Sequence, residues 1–283
     1  MKEIILSNGS PMPRLGQGTW YMGDNKAMEN QEIESIQTGI ELGMNLIDTA
    51  EMYGEGRAER LVGRAIKSYD RSKLFLVSKV YPHNAGRKNI FRSCENSLKR
   101  LNTDYLDLYL LHWRGSIRLE ETVECMEELV VSKKIRQWGV SNFDVEDMEE
   151  LWSVPNGKHC VVNQVLYHLG SRGIEYALLP WLKQHNVPVM AYSPMAQGGT
   201  LKRQLLTNPV ILELANHHQA SPMQILLSFV LHQEGVIAIP KSSSPKHTIE
   251  NARVADIVLT MEERKLLDEQ FPAPKHKTYL DMI

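Results

Sequence analysis

The chain has 283 residues, with 32 basic and 34 acidic side chains and a formal charge of −2 at pH 7. With 42% apolar and 23% charged residues it has the composition of a folded globular protein, and the balanced charge argues against binding to nucleic acids or membrane surfaces. Three widely spaced cysteines do not suggest a disulfide framework, and the absence of long apolar runs and of a signal-like start leads us to expect a cytoplasmic enzyme.

Short apolar strands alternate with amphipathic helices along the whole chain. The predicted strands are residues 15–19, 46–48, 74–79, 105–112, 136–140, 161–165, 187–193 and 236–240. The predicted helices are residues 32–42, 58–68, 89–101, 119–132, 144–151 and 222–232. Strands that are apolar on both faces are typical of a buried parallel sheet, and no linker interrupts the repeat. We predict an α/β fold, a (β/α)8 TIM barrel that spans residues 1–283 as a single domain.

An additional element precedes the first barrel strand. Asn8-Gly9 lies between the apolar segments 3–6 and 12–15. Asn-Gly between apolar runs is a strong signal for a β-hairpin. We expect an N-terminal β-hairpin that closes the bottom of the barrel.

Polar side chains end three consecutive predicted strands, where an apolar core would not place them. Asp48 ends the second strand, Lys79 the third and His112 the fourth, and Tyr53 follows in the loop after Asp48. The C-terminal rim of a TIM barrel carries the active site, and neighbouring strands lie about 4.8 Å apart. We therefore expect these four side chains to converge.

The chemistry of this set is that of a proton donor aimed at a carbonyl oxygen. A buried Lys79 needs the counter-charge of Asp48, and the ammonium is expected to lower the pKa of Tyr53. His112 would stay neutral and donate a hydrogen bond to the substrate. Since no side chain donates hydride, a cofactor must supply it. Taken singly, these residues could equally form a structural ion pair, a packed aromatic or a core histidine.

Three other patterns do not predict function. The segment that starts at Gly16-Gln17-Gly18 lacks the third glycine of a dinucleotide-binding turn. The segment 139–143 ends in Phe where a nucleophile elbow has Gly. His217 and His218 are expected to point to different helix faces, so no metal site is predicted.

The order of the motifs resembles the aldo-keto reductase family over essentially the whole chain. The matching segments are 48–53 (DTAEMY), 110–113 (LLHW), 139–143 (GVSNF), 163–164 (NQ), 191–194 (AYSP) and 239–242 (IPKS). The segments 16–23 (GQGTWYMG) and 272–275 (PAPK) look most similar to bacterial methylglyoxal-reductase-type (2,5-diketo-gluconate-reductase-like) members. The resemblance implies reduction of aldehydes and ketones by NADPH, with Tyr53 giving the proton, Asp48 and Lys79 tuning it and His112 orienting the carbonyl.

The resemblance also implies a set of cofactor-binding residues. Ser141, Asn142 and Gln164 would hold the nicotinamide carboxamide, and Tyr192 would stack under the ring. The other implied contacts near the nicotinamide are Gly18, Thr19, Trp20, Ser193, Met195, Gln197 and Ile239.

The phosphate-binding end departs from the family pattern. Lys241 and Ser242 match the positions that hold the 2′-phosphate, and Glu250 and Asn251 match the adenine contacts. His247 stands where the family usually has Arg, and His cannot reproduce the bidentate fork of a guanidinium. We expect a preference for NADPH with weaker discrimination against NADH.

The expected substrate pocket has the aromatic walls Trp20, Tyr81 and Trp113 by the same resemblance. The loop after His112 and the tail after Phe271 are short, which suggests an open site for small carbonyl compounds such as 2-oxoaldehydes. We expect a monomer. Two alternatives remain open: a lyase or aldolase that forms a Schiff base on Lys79, and a non-enzymatic nicotinamide-binding regulatory protein.

Overall fold

The computed structural model of the protein describes residues 2–283. Two short antiparallel strands precede eight parallel strands that neighbour one another in chain order. The strands are β1 (Glu3–Ile5), β2 (Pro11–Pro13), β3 (Gly16–Gly18), β4 (Leu46–Asp48), β5 (Phe75–Val80), β6 (Leu108–Leu111), β7 (Trp138–Ser141), β8 (Asn163–Leu166), β9 (Val189–Tyr192) and β10 (Val236–Ile239). All eight predicted barrel strands are present, and the predicted α/β barrel is confirmed.

Helices follow the strands along the chain. They are α1 (Glu29–Glu41), α2 (Arg57–Ala65), α3 (Ile90–Leu101), α4 (Leu119–Val131), α5 (Val145–Ser153), α6 (Leu178–Gln184), α7 (Gly199–Leu206), α8 (Pro209–His217), α9 (Pro222–His232), α10 (Pro245–Arg253) and α11 (Met261–Gln270). The six predicted helices correspond to α1–α5 and α9. Of the other five helices, four carry Pro or Gly in the first turn, where proline is well tolerated. These residues interrupt the periodic pattern of apolar residues by which the sequence predicts a helix. Within residues 2–283, no helix combines the length and the apolar character that a membrane crossing requires.

The barrel closes where β3 meets β10. The N–H of Gly18 donates to the carbonyl of Pro240 at 3.1 Å, and the N–H of Ala238 donates to the carbonyl of Arg14 at 2.9 Å. A Cβ atom on Gly18 would lie 2.8 Å from the carbonyl oxygen of Ile239. Glycine is therefore required for this close approach of the two strands.

The predicted hairpin is present at the N-terminal end of the barrel. β1 pairs antiparallel with β2, with Ile4 opposite Met12. Gly9 has a φ of 84° in the connecting turn, which favours glycine. Leu6 and Met12 are buried in the same cluster as the inward-facing side chains of the barrel, so the hairpin covers its lower end.

The apolar side chains form two layers of core. One fills the barrel and includes Leu46, Val77, Leu108 and Leu110; the other lies between the strands and the surrounding helices. Alternate residues of a strand face opposite sides of a sheet. The strands are thus buried on both faces, as predicted.

Candidate active site

The two-residue period of the strands places three polar side chains inside the barrel. Leu46, Val77 and Leu110 face the barrel interior. Residues two positions further along a strand face the same side, which puts Asp48 and Lys79 above Leu46 and Val77. His112 follows Leu110 in the same way, directly after β6. Sequence-adjacent strands are also spatial neighbours here, so the three groups meet at one rim.

The ammonium group of Lys79 lies at the centre of this group. Its Nζ donates to Asp48 Oδ2 at 2.8 Å, to the carbonyl of Thr49 at 2.8 Å and to the hydroxyl oxygen of Tyr53 at 3.0 Å. The side chain of Lys79 is 0% exposed, so each of its three protons has a partner in place of water. An ammonium has no lone pair, and the hydroxyl hydrogen of Tyr53 must therefore point elsewhere.

The pKa of Tyr53 differs from the expectation. Burial, with the charge of Asp48, raises the pKa of Tyr53 well above its ordinary value, whereas the sequence led us to expect a lower one. The lowering was wrong because Asp48 offsets the charge of Lys79, leaving a nearly neutral pair beside a desolvated phenol. Burial also raises the pKa of Asp48 and lowers that of Lys79. Burial and the charge of Lys79 lower the pKa of His112 well below its ordinary value, so its imidazole is neutral.

A chain of hydrogen bonds connects Asp48 with residues of three further strands. Gln164 Nε2 donates to Asp48 Oδ1 at 2.8 Å, and Ser141 Oγ donates to the carbonyl of Gln164 at 2.8 Å. Asn142 Nδ2 donates to Ser141 Oγ at 3.2 Å, and the hydroxyl of Tyr192 donates to Asn142 Oδ1 at 2.9 Å. Positions far apart in the sequence thus form one polar wall.

These side chains line a cavity of about 280 Å³ at the C-terminal end of the barrel. Of the predicted residues, the lining contains Gly18, Thr19, Trp20, Asp48, Tyr53, His112, Trp113, Ser141, Asn142, Gln164, Tyr192, Ser193, Ile239 and Lys241. Lys79 lies behind this surface. Met52, Met282 and Ile283 also line the cavity and were not among the predicted residues.

Tyr81 does not line this cavity, although the resemblance implied that it would. Its ring packs edge-on against Trp113, with centroids 5.8 Å apart, and beside His83. Its N–H donates to Glu51 at 2.8 Å. Tyr81 therefore supports the wall formed by Trp113. Met195 and Gln197 lie in the loop after β9, the first buried and the second exposed, outside the cavity lining.

The predicted phosphate end lies at β10 and the start of α10. Lys241 Nζ donates to Ser243 Oγ at 2.6 Å, and Ser242 Oγ donates to the carbonyl of Ser244 at 2.8 Å. His247 is exposed in the first turn of α10, where a helix favours anions. Glu250 and Asn251 follow on the same helix, the latter buried.

The tail after α11 corrects the expectation of an open site. Residues 272–283 run without regular structure and bring Met282 and Ile283 to the cavity. The carbonyl of Phe271 accepts from Arg172 at 2.6 Å, and Ser171 donates to Asp281, so both ends of the segment are anchored. Twelve extended residues can span about 40 Å. The tail is therefore long enough to reach the cavity, although it looked short in the sequence.

The residues present fit a nicotinamide group. The cavity offers hydroxyl and amide groups on Ser141, Asn142 and Gln164, and the half-buried ring of Tyr192. A carboxamide needs both donors and acceptors, and a planar ring packs well on an aromatic face. His112 also lines this cavity, so its imidazole can contact a group that binds there.

Comparison with known proteins agrees with this geometry. The model of the aldo/keto reductase family matches residues 14–270. The chain belongs to the aldo/keto reductase family. The predicted family is thereby confirmed, and with it an oxidoreductase that acts on carbonyl groups.

Aldo/keto reductases of known function and structure resemble the chain along its whole length. It is 55% identical to methylglyoxal reductase YeaE of Escherichia coli (strain K12), over 100% of this chain and 99% of the relative. It is 37% identical to glyoxal reductase of Bacillus subtilis (strain 168), over 95% of this chain and 92% of the relative. The crystal structure of an aldo/keto reductase from Klebsiella pneumoniae in complex with NADP and acetate superposes with a TM-score of 0.97, at 52% identity, covering 100% and 99% of the two chains.

Proposed function

We propose that the protein reduces small aldehydes and 2-oxoaldehydes, such as methylglyoxal, to alcohols with NADPH. The observation that carries this proposal is the 3.0 Å contact between Lys79 Nζ and the hydroxyl oxygen of Tyr53 at the base of the cavity. It combines a phenol that retains its proton with a cation that stabilises the oxygen once the proton has left.

Tyr53 is the proton donor in this proposal. When bound, the cofactor supplies hydride to the carbonyl carbon. The carbonyl oxygen gains negative charge and takes the hydroxyl proton of Tyr53, which leaves a phenolate that Lys79 stabilises by its existing hydrogen bond. Solvent then returns a proton to Tyr53. The raised pKa of Tyr53 ensures that the proton is present before the reaction begins.

The other polar groups position this proton transfer. Asp48 accepts from Lys79 and from Gln164, which fixes the ammonium in place. The ring of His112 lies edge-on to Tyr53, with centroids 5.7 Å apart. Because His112 is neutral, it can donate one N–H to the carbonyl oxygen without bringing a second cation next to Lys79.

The cofactor would extend from the cavity toward α10. Ser141, Asn142 and Gln164 hold the carboxamide and Tyr192 packs against the ring, on the evidence of the polar wall described above. The remaining proposed contacts are Gly18, Thr19, Trp20, Ser193, Met195, Gln197, Ile239, Lys241, Ser242, His247, Glu250 and Asn251.

The walls of the cavity favour a small substrate. Trp20 and Trp113 form aromatic sides, and Met282 and Ile283 add an apolar boundary. Two relatives that cover nearly the whole chain are a methylglyoxal reductase and a glyoxal reductase, which supports a two- or three-carbon 2-oxoaldehyde.

A Schiff base on Lys79 receives no support. A nucleophilic amine needs a free lone pair and access to the substrate. Lys79 is fully buried, and its nitrogen donates to three oxygen acceptors, so it has neither. A purely regulatory nicotinamide-binding protein would not need this buried cation beside a tyrosine, because burying a charge costs stability.

The decisive experiment compares wild type with Tyr53→Phe. Loss of a general acid typically lowers the rate by about 10²–10⁴-fold, and we expect that loss in kcat for methylglyoxal-dependent oxidation of NADPH. Affinity for NADPH, measured by fluorescence titration, should be unchanged because Phe keeps the ring. An equally large loss of NADPH affinity, or full turnover by the variant, would contradict the assignment. Substrate trapped on Lys79 by borohydride would favour the lyase instead.

A monomeric state and a cytoplasmic location, both expected from the sequence, stay predictions. Size-exclusion chromatography at the enzyme concentration used for kinetics tests the first of these.

A further inference from the structure

A second cluster of functional side chains lies outside the cavity, where α8 meets α11. Among residues 2–283, the ligand atoms of His217, His218 and Glu263 lie within 4.8 Å of one another. His217 Nδ1 is 2.7 Å and His218 Nε2 is 2.9 Å from the same oxygen, Glu263 Oε1. The cluster shares no residue with the cavity.

The two histidines converge although the sequence led us to expect divergent directions. His217 is the last residue of α8, and His218 follows it as the C-cap with φ −85° and ψ 2°. The two imidazole rings lie with their centroids 5.0 Å apart, and both reach the same carboxylate. The expectation was wrong because it considered only the positions of the two residues on the helix and not where their rings reach.

Glu263 is held in place by the start of α11. Its Oε2 accepts the N–H of Thr260 at 2.8 Å, and Thr260 Oγ1 accepts the N–H of Glu263, which forms a capping box. Glu263 is only 6% exposed. One carboxylate oxygen is thus occupied by the backbone, while the other is aimed at the two imidazoles. Orientation of a ligand by such a partner is a regular feature of metal sites.

We propose that His217, His218 and Glu263 bind a divalent transition metal ion of the zinc class. Two imidazole nitrogens and a carboxylate oxygen suit Zn²⁺, whereas Mg²⁺ and Ca²⁺ prefer oxygen ligands alone. On each imidazole, the proton that now faces Glu263 is exchanged through solvent for one on the other ring nitrogen, so the ring stays neutral and the freed lone pair binds the ion. Water completes the coordination. Small rotations of the rings suffice to bring the three atoms to about 2.0–2.2 Å from the ion.

The surroundings allow an ion to enter and give it a structural effect. The side chain of His217 is 69% exposed, which leaves the cluster open to solvent on one side. The ion would link the end of α8 to the first turn of α11. It would stabilise the folded protein, since a ligand that binds only the folded state raises its stability.

The test is Zn²⁺ binding by untagged protein after treatment with a chelator. We expect one ion per chain by isothermal titration calorimetry. At about one hundred times Kd, the ion should raise Tm by about 4 °C, from the linkage of binding to unfolding and the unfolding entropy of a chain of this size.

Matched variants locate the site. His217→Gln, His218→Gln and Glu263→Gln should each weaken Zn²⁺ binding by at least about tenfold, the usual effect of removing a group on which metal affinity depends. Glu263→Gln keeps a side-chain carbonyl for the N–H of Thr260, so the helix cap survives. His159→Gln is the control, because His159 lies 3.2 Å from Glu127 and no third ligand joins them among residues 2–283. Failure of wild type to bind Zn²⁺, or equal binding by wild type and the three variants, would overturn the proposal.

Discussion

Burial shifts the pKa values of Tyr53 and His112 in opposite directions and leaves both side chains neutral. Both side chains lie in surroundings that disfavour charge, so the pKa of Tyr53 is raised and that of His112 is lowered. The first stays a neutral acid and the second a neutral imidazole. Asp48 and Lys79 are charged groups beside them, and these two pair at 2.8 Å. Proton transfer from Tyr53 therefore needs no prior change of charge in its neighbours.

Position 247 is where we expect an arginine to strengthen the preference for NADPH over NADH. We predict that His247→Arg raises the ratio of kcat/KM for NADPH over NADH by about tenfold or more, because a charge-assisted hydrogen bond contributes about 1.5–3 kcal/mol. His247 is exposed in the first turn of α10, so the larger side chain fits without repacking. Steady-state kinetics with both cofactors and methylglyoxal measures the ratio.

The matched control is His247→Gln, which is polar and always neutral. It should leave the ratio close to that of wild type, because glutamine offers no guanidinium fork to the 2′-phosphate. The assignment of His247 to the 2′-phosphate is refuted if His247→Arg changes kcat/KM for both cofactors by the same factor.

At the scale of strands and helices, the two-residue period explains how much of the site was predictable. Asp48, Lys79 and His112 each lie two positions after an apolar residue that faces the barrel interior, and this can be read from the sequence. The hydrogen bond of Gln164 to Asp48 cannot, because it depends on how strands β4 and β8 face each other across the barrel. Likewise, the offsetting effect of Asp48 on Tyr53 appears only when distances are known.

The path of the tail, residues 272–283, could not be predicted from the sequence. Residues 272–283 have no periodic pattern, and their path is set by single contacts with distant residues, such as Ser171 with Asp281. A length estimate alone suggested that the tail stops short of the site. Only the folded chain shows that Met282 and Ile283 reach the cavity.

Removing this part of the tail should widen the range of substrates. We predict that deletion of residues 282–283 raises kcat/KM for bulky aromatic aldehydes, relative to methylglyoxal, by about tenfold, the size of effect that a few methylene groups of a pocket wall produce. Both residues are about half exposed, so the deletion should leave Tm unchanged. Kinetics with a series of aldehydes of increasing size provides the measurement.

Tyr279→Ala serves as the control for this deletion. Tyr279 lies in the same tail but is 97% exposed and does not line the cavity. Its loss should leave unchanged the ratio of kcat/KM for bulky aromatic aldehydes to that for methylglyoxal. An unchanged ratio in the deletion variant as well would show that the tail does not limit substrate size.

For the whole molecule, buried neutral histidines link stability to pH. His168 is 4% exposed, and its Nδ1 accepts the N–H of Gly170 at 3.1 Å. Burial lowers the pKa of His168 to about 4, against a partial opposing effect of Asp281. An unfolded chain exposes this histidine to water, where its pKa is about 6.5. Between these two values the unfolded state binds a proton that the folded state does not.

Stability should therefore fall as the pH drops from about 6.5 to about 4, by up to about 3 kcal/mol from His168 alone. We predict that His168→Gln, which cannot be protonated, loses less free energy of unfolding over this interval than wild type does, whatever its stability at pH 7. Urea unfolding at several pH values between these limits measures both slopes. His159→Gln, which removes an exposed histidine, is the control for the substitution itself. Equal slopes for wild type and His168→Gln would mean that His168 is already accessible to protons in the folded state.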